Sequence, residues 1–307
     1  MWDNYTWNVS PAPGCVPYAS YNRTDFCRLL QGRDVLLIGD SISQLSRTAL
    51  WNMAASRVSQ HQRWTYGRAA SVNRFPYQKP IEDLIDICED NQRARVTVLL
   101  NWAIGDLRLS NDLPFRTISE RCDSLGCKSS NLNVTRGSPD DRIWGVDEFV
   151  RDYVLEKGLH PGLIVVNSGA HMQADDVFLP QVRAALAVIT ASHPSATVVW
   201  RNTPPGHANC SLIRAPLLEP QHGPLPYDWH ELVRQNDLVA SLIEREFPGV
   251  VYMDVATSTA LRGDFHVSAM LHNPPTNADC MHYIEPGPMD HWIRTLYNVL
   301  LAQGKKE

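Results

Sequence analysis

Short, continuously apolar runs alternate along this chain with longer stretches in which apolar positions recur every three or four residues. Asp34-Val-Leu-Leu-Ile-Gly39 is the first such run, and Ser43 to Ser56 follows it with Leu45, Ala49, Leu50 and Met53 at helical spacing. Further runs lie at Arg95 to Trp102, Leu163 to Asn167, Ala196 to Arg201 and Gly249 to Asp254. Helical patterns fill Val146 to Lys157, Val177 to Ser192, Trp229 to Phe247 and Pro288 to Gln303. Strands apolar at every position, rather than at alternate ones, are buried on both faces. Strands that alternate with helices build a parallel sheet with right-handed crossovers. The pattern therefore predicts an α/β fold, a three-layer αβα sandwich around a central, mostly parallel sheet. One such domain is expected over residues 1–307, with residues 1–32 as a lead-in. Thr65 to Asp90 and Leu107 to Asp141, rich in Pro, Asn, Ser and charge, read as largely irregular insertions.

In an open α/β sheet, ligands bind beyond the carboxyl ends of the strands, so the residues there come next. The first strand runs into Gly39-Asp40-Ser41, where a glycine permits a tight turn and a serine stands where a helix begins. The outward amides and dipole of such a turn suit a nucleophile with a developing oxyanion beside it. Taken alone, Asp40 or Ser41 could equally serve as a simple helix cap. After the third parallel strand comes Asn167-Ser-Gly169-Ala-His171, and after the fourth Arg201-Asn-Thr-Pro-Pro-Gly-His207. An asparagine amide or a glycine N–H can donate to an oxyanion, and Arg201 or His207 can line a pocket. A plain turn and a rigid proline loop account for the same residues. Near the C-terminus stand Asp279 and His282, three apart. An aspartate that accepts from one imidazole nitrogen leaves the other free to take a serine proton. The pairing of the serine turn near one end with Asp279 and His282 near the other raises the reading of a Ser41–His282–Asp279 triad above its parts.

Composition adds compartment and partners. The net charge is -5, with no Lys/Arg run, so nothing marks a nucleic-acid or anionic-membrane surface. No apolar run approaches the roughly 20 residues that cross a bilayer, and Met1 to Asn8 lack an export signal. Five N-glycosylation tripeptides begin at Asn4, Asn8, Asn22, Asn133 and Asn209. Seven cysteines (Cys15, Cys27, Cys88, Cys122, Cys127, Cys210 and Cys280) show no metal-site spacing. Together they predict a disulfide-bonded protein of the secretory pathway, in the Golgi lumen or secreted. An odd count leaves at least one cysteine free or paired outside the chain.

The run Asp279-Cys-Met-His282-Tyr, followed by Pro286-Gly-Pro-Met-Asp290-His-Trp292, resembles the D-C-x-H-W-C-L-P-G-x-x-D-x-W signature of the PC-esterase domain. That domain belongs to the SGNH/GDSL superfamily and occurs in the trichome-birefringence-like polysaccharide O-acetyltransferases. Asn167 to His171 is similar to its N-T-G-H block, and Arg201 to His207 to its R-T-x-S-P-x-H block. Pro13-Gly-Cys15 and Gln31-Gly-Arg33 resemble the stretch that leads into the serine turn. Departures mark a divergent branch: Tyr283 replaces Trp, Ile284 replaces a cysteine, and Ala170 is an extra residue. The resemblance implies acyl-Ser41 chemistry on carbohydrate hydroxyls, with His282 as base and Asp279 orienting it. The Ser41 amide, Gly105, Asn167 and Gly169 would serve the oxyanion, and His171, Arg201 and His207 the substrate. It implies no cofactor and no metal, an acetyl donor if the reaction is transfer, and a glycan as partner. Transfer to sugar is the leading expectation, and hydrolysis by the same triad the alternative. Rival readings are a metal-dependent hydrolase using Asp264, His266, His272, Asp279 and His282, a Cys280 nucleophile, and a carbohydrate-binding domain without catalysis.

Overall fold

The computed structural model describes residues 18–55, 79–80, 85–89, 92–100, 145–270 and 279–304. Its centre is a seven-stranded sheet: β1 (Asp34–Gly39), β2 (Lys79–Pro80), β3 (Ile85–Ile87), β4 (Ala94–Leu100), β5 (Pro161–Val166), β6 (Thr197–Arg201) and β7 (Val251–Met253). The order is β2-β4-β1-β5-β6-β7, with β3 also on β4. β4, β1, β5, β6 and β7 run parallel, and β2 and β3 pair antiparallel with β4. The antiparallel pieces fall in the stretch expected to be irregular, and they are too short to show a period in sequence.

Among the described residues, six helices of eight or more residues cover the two faces: α1 (Arg23–Leu30), α2 (Ser41–Ala54), α3, α4 (Asp175–Ser192), α5 (Glu231–Glu246) and α6 (Pro288–Gln303). Helix α3 is a run of three pieces, Val146–Glu148, a π-helical Phe149–Tyr153, and Val154–Glu156. Alternate side chains of each strand feed opposite cores. Val35, Leu37, Val96, Val98, Leu163, Val165 and Val199 pack with α1, α2 and α6. Leu36, Ile38, Ile164, Val166, Val198 and Trp200 pack with α3, α4 and α5. β1 is buried at every position. That is the physical content of its unbroken apolar run, and it realises the expected three-layer sandwich.

Helix α1 lies within the segment read only as a lead-in. Asn22 caps it by accepting from the Asp25 amide at 3.1 Å, and Phe26, Cys27 and Leu30 are buried. Two disulfides stitch the described chain, Cys27–Cys88 and Cys210–Cys280. The second removes the Cys280 nucleophile from consideration, because a bridged sulfur carries no thiolate. Cys15, Cys122 and Cys127 lie outside the described residues. Two of the glycosylation tripeptides, at Asn22 and Asn209, present exposed asparagines. Those at Asn4, Asn8 and Asn133 lie outside the described residues. Among the described residues no helix is long and apolar enough to cross a membrane.

Candidate active site

The central place of β1 sets the site. Its C-terminal end lies between those of β4 and β5, with Gly39 opposite Leu100 and the Asn167 amide donating to the Ile38 carbonyl at 2.9 Å. A Cβ on Gly39 would stand 2.6 Å from the Asn167 carbonyl oxygen and 2.4 Å from Ser43 Oγ. Only glycine lets the two strand ends approach this closely. Asp40 then caps α2. Its side chain accepts from the Ile42 amide at 2.9 Å, and its carbonyl accepts from Ser43 and Gln44. The cap expected of Asp40 is therefore real, and it frees Ser41, the first residue of the helix, for another task.

Ser41 Oγ lies 2.6 Å from His282 Nε2. The other ring nitrogen, Nδ1, lies 2.9 and 3.1 Å from the two carboxylate oxygens of Asp279. Asp279 also accepts from the Met281 and His282 amides at 3.3 and 3.0 Å, which closes a turn around the histidine. Burial raises the Asp279 carboxyl, but hydrogen bonds from the His282 ring and these amides outweigh it and hold the group below its ordinary range. Nδ1 facing a carboxylate must carry the proton, so Nε2 presents a lone pair to the serine hydroxyl. The structure thus brings Ser41 to His282, 241 positions away in sequence, and to Asp279 beside it.

The other expected site residues divide. His171 is exposed and lies within electrostatic reach of Asp40 and His282, at the rim of the same site. Gly169 is buried with a φ of +138°, and a Cβ there would meet Thr203 Oγ1 at 2.7 Å. Asn167 is fully buried, and both bonds of its amide nitrogen are internal, to the Arg201 carbonyl at 2.8 Å and Thr203 Oγ1 at 2.9 Å. With its donors spent on joining the ends of β5 and β6, Asn167 is a brace and not the oxyanion donor expected of it. Arg201 also departs from expectation. It is 2% exposed, donates to Ser43 Oγ at 3.2 Å and stacks over Trp292, its Cζ 4.9 Å from the ring centroid. Burial lowers its pKa to about 10 and Asp40 counters, so it stays charged beneath the serine turn instead of lining a pocket.

His207 does line a cavity of about 600 Å³, shared with Trp229, His222, His230, Tyr252 and Asp254 beyond the ends of β6 and β7. Its own ring is engaged inward, with Nδ1 2.7 Å from His266 Nε2. Gly105 and His272 lie outside the described residues. The metal-ligand reading finds its donors dispersed. Asp264 is paired with Arg262, His266 is held by His207 and the His282 carbonyl, and Asp279 faces His282. Among the described residues no group of three or more His, Cys, Asp or Glu side chains converges. Nothing in sequence marked the His207–His266 contact or the burial of Arg201, because both depend on how loops fold back over the sheet.

Residues 166–299, from the end of β5 through most of α6, match the model of the PC-Esterase family, a GDSL/SGNH-like acyl-esterase family found in Pmr5 and Cas1p. The chain is similar to the PC-esterase family over this stretch. The matched stretch holds Asp279 and His282, and the Ser41 turn precedes it. The chain is also 25% identical to "Xylan O-acetyltransferase 2" of Oryza sativa subsp. japonica over 97% of its own length. It spans 61% of that relative. Solved structures similar to it include a carbohydrate esterase family 3 protein from Talaromyces cellulolyticus, with 14% identity and a TM-score of 0.40, covering 90% of this chain and 99% of that one. An acetyl esterase variant with an acetate ion matches at the same identity and TM-score, covering 89% and 99%.

Proposed function

We propose that this protein is a serine-dependent O-acetyltransferase acting on carbohydrate hydroxyls through an acyl-Ser41 intermediate. The observation that carries the reading is the continuous hydrogen-bond line from Ser41 Oγ through the His282 ring to Asp279. Ser41 Oγ bonds to the acetyl carbonyl carbon while its proton passes to His282 Nε2, and Asp279 stabilises the imidazolium that results. The tetrahedral oxyanion takes the Ser41 N–H at the start of α2, since the next three amides are already bonded to Asp40. The imidazolium then gives its proton to the departing alcohol, and the carbon–oxygen bond to the donor breaks. A sugar hydroxyl, deprotonated by the same nitrogen, attacks acetyl-Ser41 and restores the enzyme.

Transfer is favoured over hydrolysis by the similarity to a protein named as a xylan O-acetyltransferase. The two disulfides and the exposed asparagines of the Asn22 and Asn209 tripeptides support a place in the secretory pathway, in the Golgi lumen or outside the cell. The test is incubation with p-nitrophenyl acetate, with and without xylo-oligosaccharides, followed by mass spectrometry of protein and sugars. One acetyl on the Ser41 peptide, with acetate moved to sugar, is the expected result. Acetate released to water over unmodified sugars would make the protein an esterase with the same triad. Equal turnover by Ser41→Ala would overturn the triad altogether.

A further inference from the structure

Behind the triad, two buried histidines form a line of three hydrogen bonds. His207 Nε2 is 2.8 Å from the Ala260 carbonyl oxygen. His207 Nδ1 is 2.7 Å from His266 Nε2. His266 Nδ1 is 3.0 Å from the carbonyl oxygen of His282. Both rings are sealed from solvent, at 1% and 0% exposure.

A carbonyl oxygen can only accept, so His207 Nε2 and His266 Nδ1 must each carry a proton. Two neutral imidazoles hold one proton apiece, and those two are then used. The nitrogens left facing each other at 2.7 Å would both present lone pairs. The same conflict moves to one of the carbonyls if either ring adopts its other tautomer. Between rings with so little exposure, such a lone-pair contact is a loss of the kind that buried polar groups avoid. Three hydrogen bonds need three protons.

We propose that His207 and His266 hold three protons between them, as a buried imidazolium–imidazole pair that fixes the backbone of His282. The surrounding charges favour it. Asp264 and Asp279 both attract positive charge on the pair. Arg262 neutralises one of these carboxylates, with bonds of 2.9 and 3.0 Å to Asp264. With His282 neutral, the formal sum over Arg262, Asp264, Asp279 and the two imidazoles is zero when the pair carries its third proton and negative when it does not. The Tyr283 ring stacks on His266 with centroids 4.4 Å apart, a partner that tolerates a cation. Burial lowers both imidazoles, His266 to about 3 with His207 lowering it further, so desolvation opposes the third proton as well as a fourth, and the donor that the third proton supplies between the two rings is what offsets that cost. The His282 carbonyl receives the Val267 amide at 3.1 Å as well. The pair is therefore the second of two restraints on the residue that faces Ser41, and His207 and His266 are positioning residues.

The experiment is long-range proton–nitrogen correlation NMR on the whole chain with ¹⁵N-labelled histidine, from mildly acidic to mildly alkaline pH, assigned with His207→Gln and His266→Gln. Three protonated nitrogens among the four of the pair at neutral pH are expected. One protonated nitrogen on each ring overturns the proposal, and this arm does not depend on what the triad catalyses. The second arm rests on the reading of His282 as base and follows acetyl-ester turnover against pH. The side-chain amide introduced by His207→Gln can donate to His266 Nε2 without a charge. That variant should therefore hold turnover within about threefold at neutral pH and lose the alkaline fall that follows proton release from the pair. His207→Leu, which supplies no donor, should cost about tenfold in turnover, measured well below its own melting temperature. Superimposable profiles for wild type and His207→Gln across the alkaline range overturn the positioning role.

Discussion

Asp279→Asn probes the triad with the least disturbance of the fold. The asparagine carbonyl can keep the bonds from the Met281 and His282 amides at 3.3 and 3.0 Å, so the turn should survive. Its NH₂ group then faces His282 Nδ1, which the carboxylate now approaches at 2.9 Å. A donor facing Nδ1 forces the proton onto Nε2, the nitrogen 2.6 Å from Ser41 Oγ. His282 can no longer take the serine proton, and the imidazolium loses its counter-charge. In serine proteases the equivalent change lowers kcat by about 10⁴, or about 5 kcal/mol of transition-state stabilisation. The same loss is expected here in the initial rate with p-nitrophenyl acetate, with a melting temperature within about 2 °C of wild type. A loss of less than about tenfold, with the fold intact, would refute the claim that Asp279 sets the His282 tautomer.

Three further predictions concern the frame. Replacing Cys210 and Cys280 together by alanine opens a loop of 70 residues. Chain-entropy arguments put that at up to about 4 kcal/mol, which urea unfolding would register, and a change under about 1 kcal/mol would count against it. Asp34→Asn breaks a buried pair in which Asp34 meets Arg95 at 2.7 Å and the His160 amide at 2.6 Å, at a cost of about 3 kcal/mol. Burial raises Asp34, but its bonds to Arg95 and the amides leave it below its ordinary value. Its contribution is thus present above the unfolded pKa and is lost as pH falls through the folded one. Acid unfolding should accordingly be less steep in Asp34→Asn than in wild type. Gly169→Ala places a Cβ at φ +138° and 2.7 Å from Thr203 Oγ1, and should cost about 2 kcal/mol by thermal melting.

The sandwich was legible because its parallel strands are apolar at every position, so Asp34–Gly39 could be bounded from sequence without a partner. Helix α6 could be bounded too, since Gly287 and Pro288 mark its start. The serine turn and the Asp279–His282 pair were legible as chemistry, since each depends on neighbours within three positions. Asn167 and Arg201 were misjudged for the opposite reason. Their partners, Thr203, Ser43 and Trp292, come from other strands and helices, and only the folded chain shows that these polar groups are spent on one another. Disulfide pairing was hidden likewise, because seven cysteines admit many pairings and none is marked by spacing.

The distance along the chain between the two halves of the triad has a consequence for biosynthesis. Ser41 emerges 241 residues before His282, and its strand has its parallel neighbours once β5 is made. The residues that would activate it are joined only after β7, beside the Cys210–Cys280 bridge. A nascent or truncated chain that stops before Asp279 could carry the nucleophile on a largely formed sheet and still be inert. By the proposed triad, acyl chemistry would switch on only when the closing loop and α6 dock.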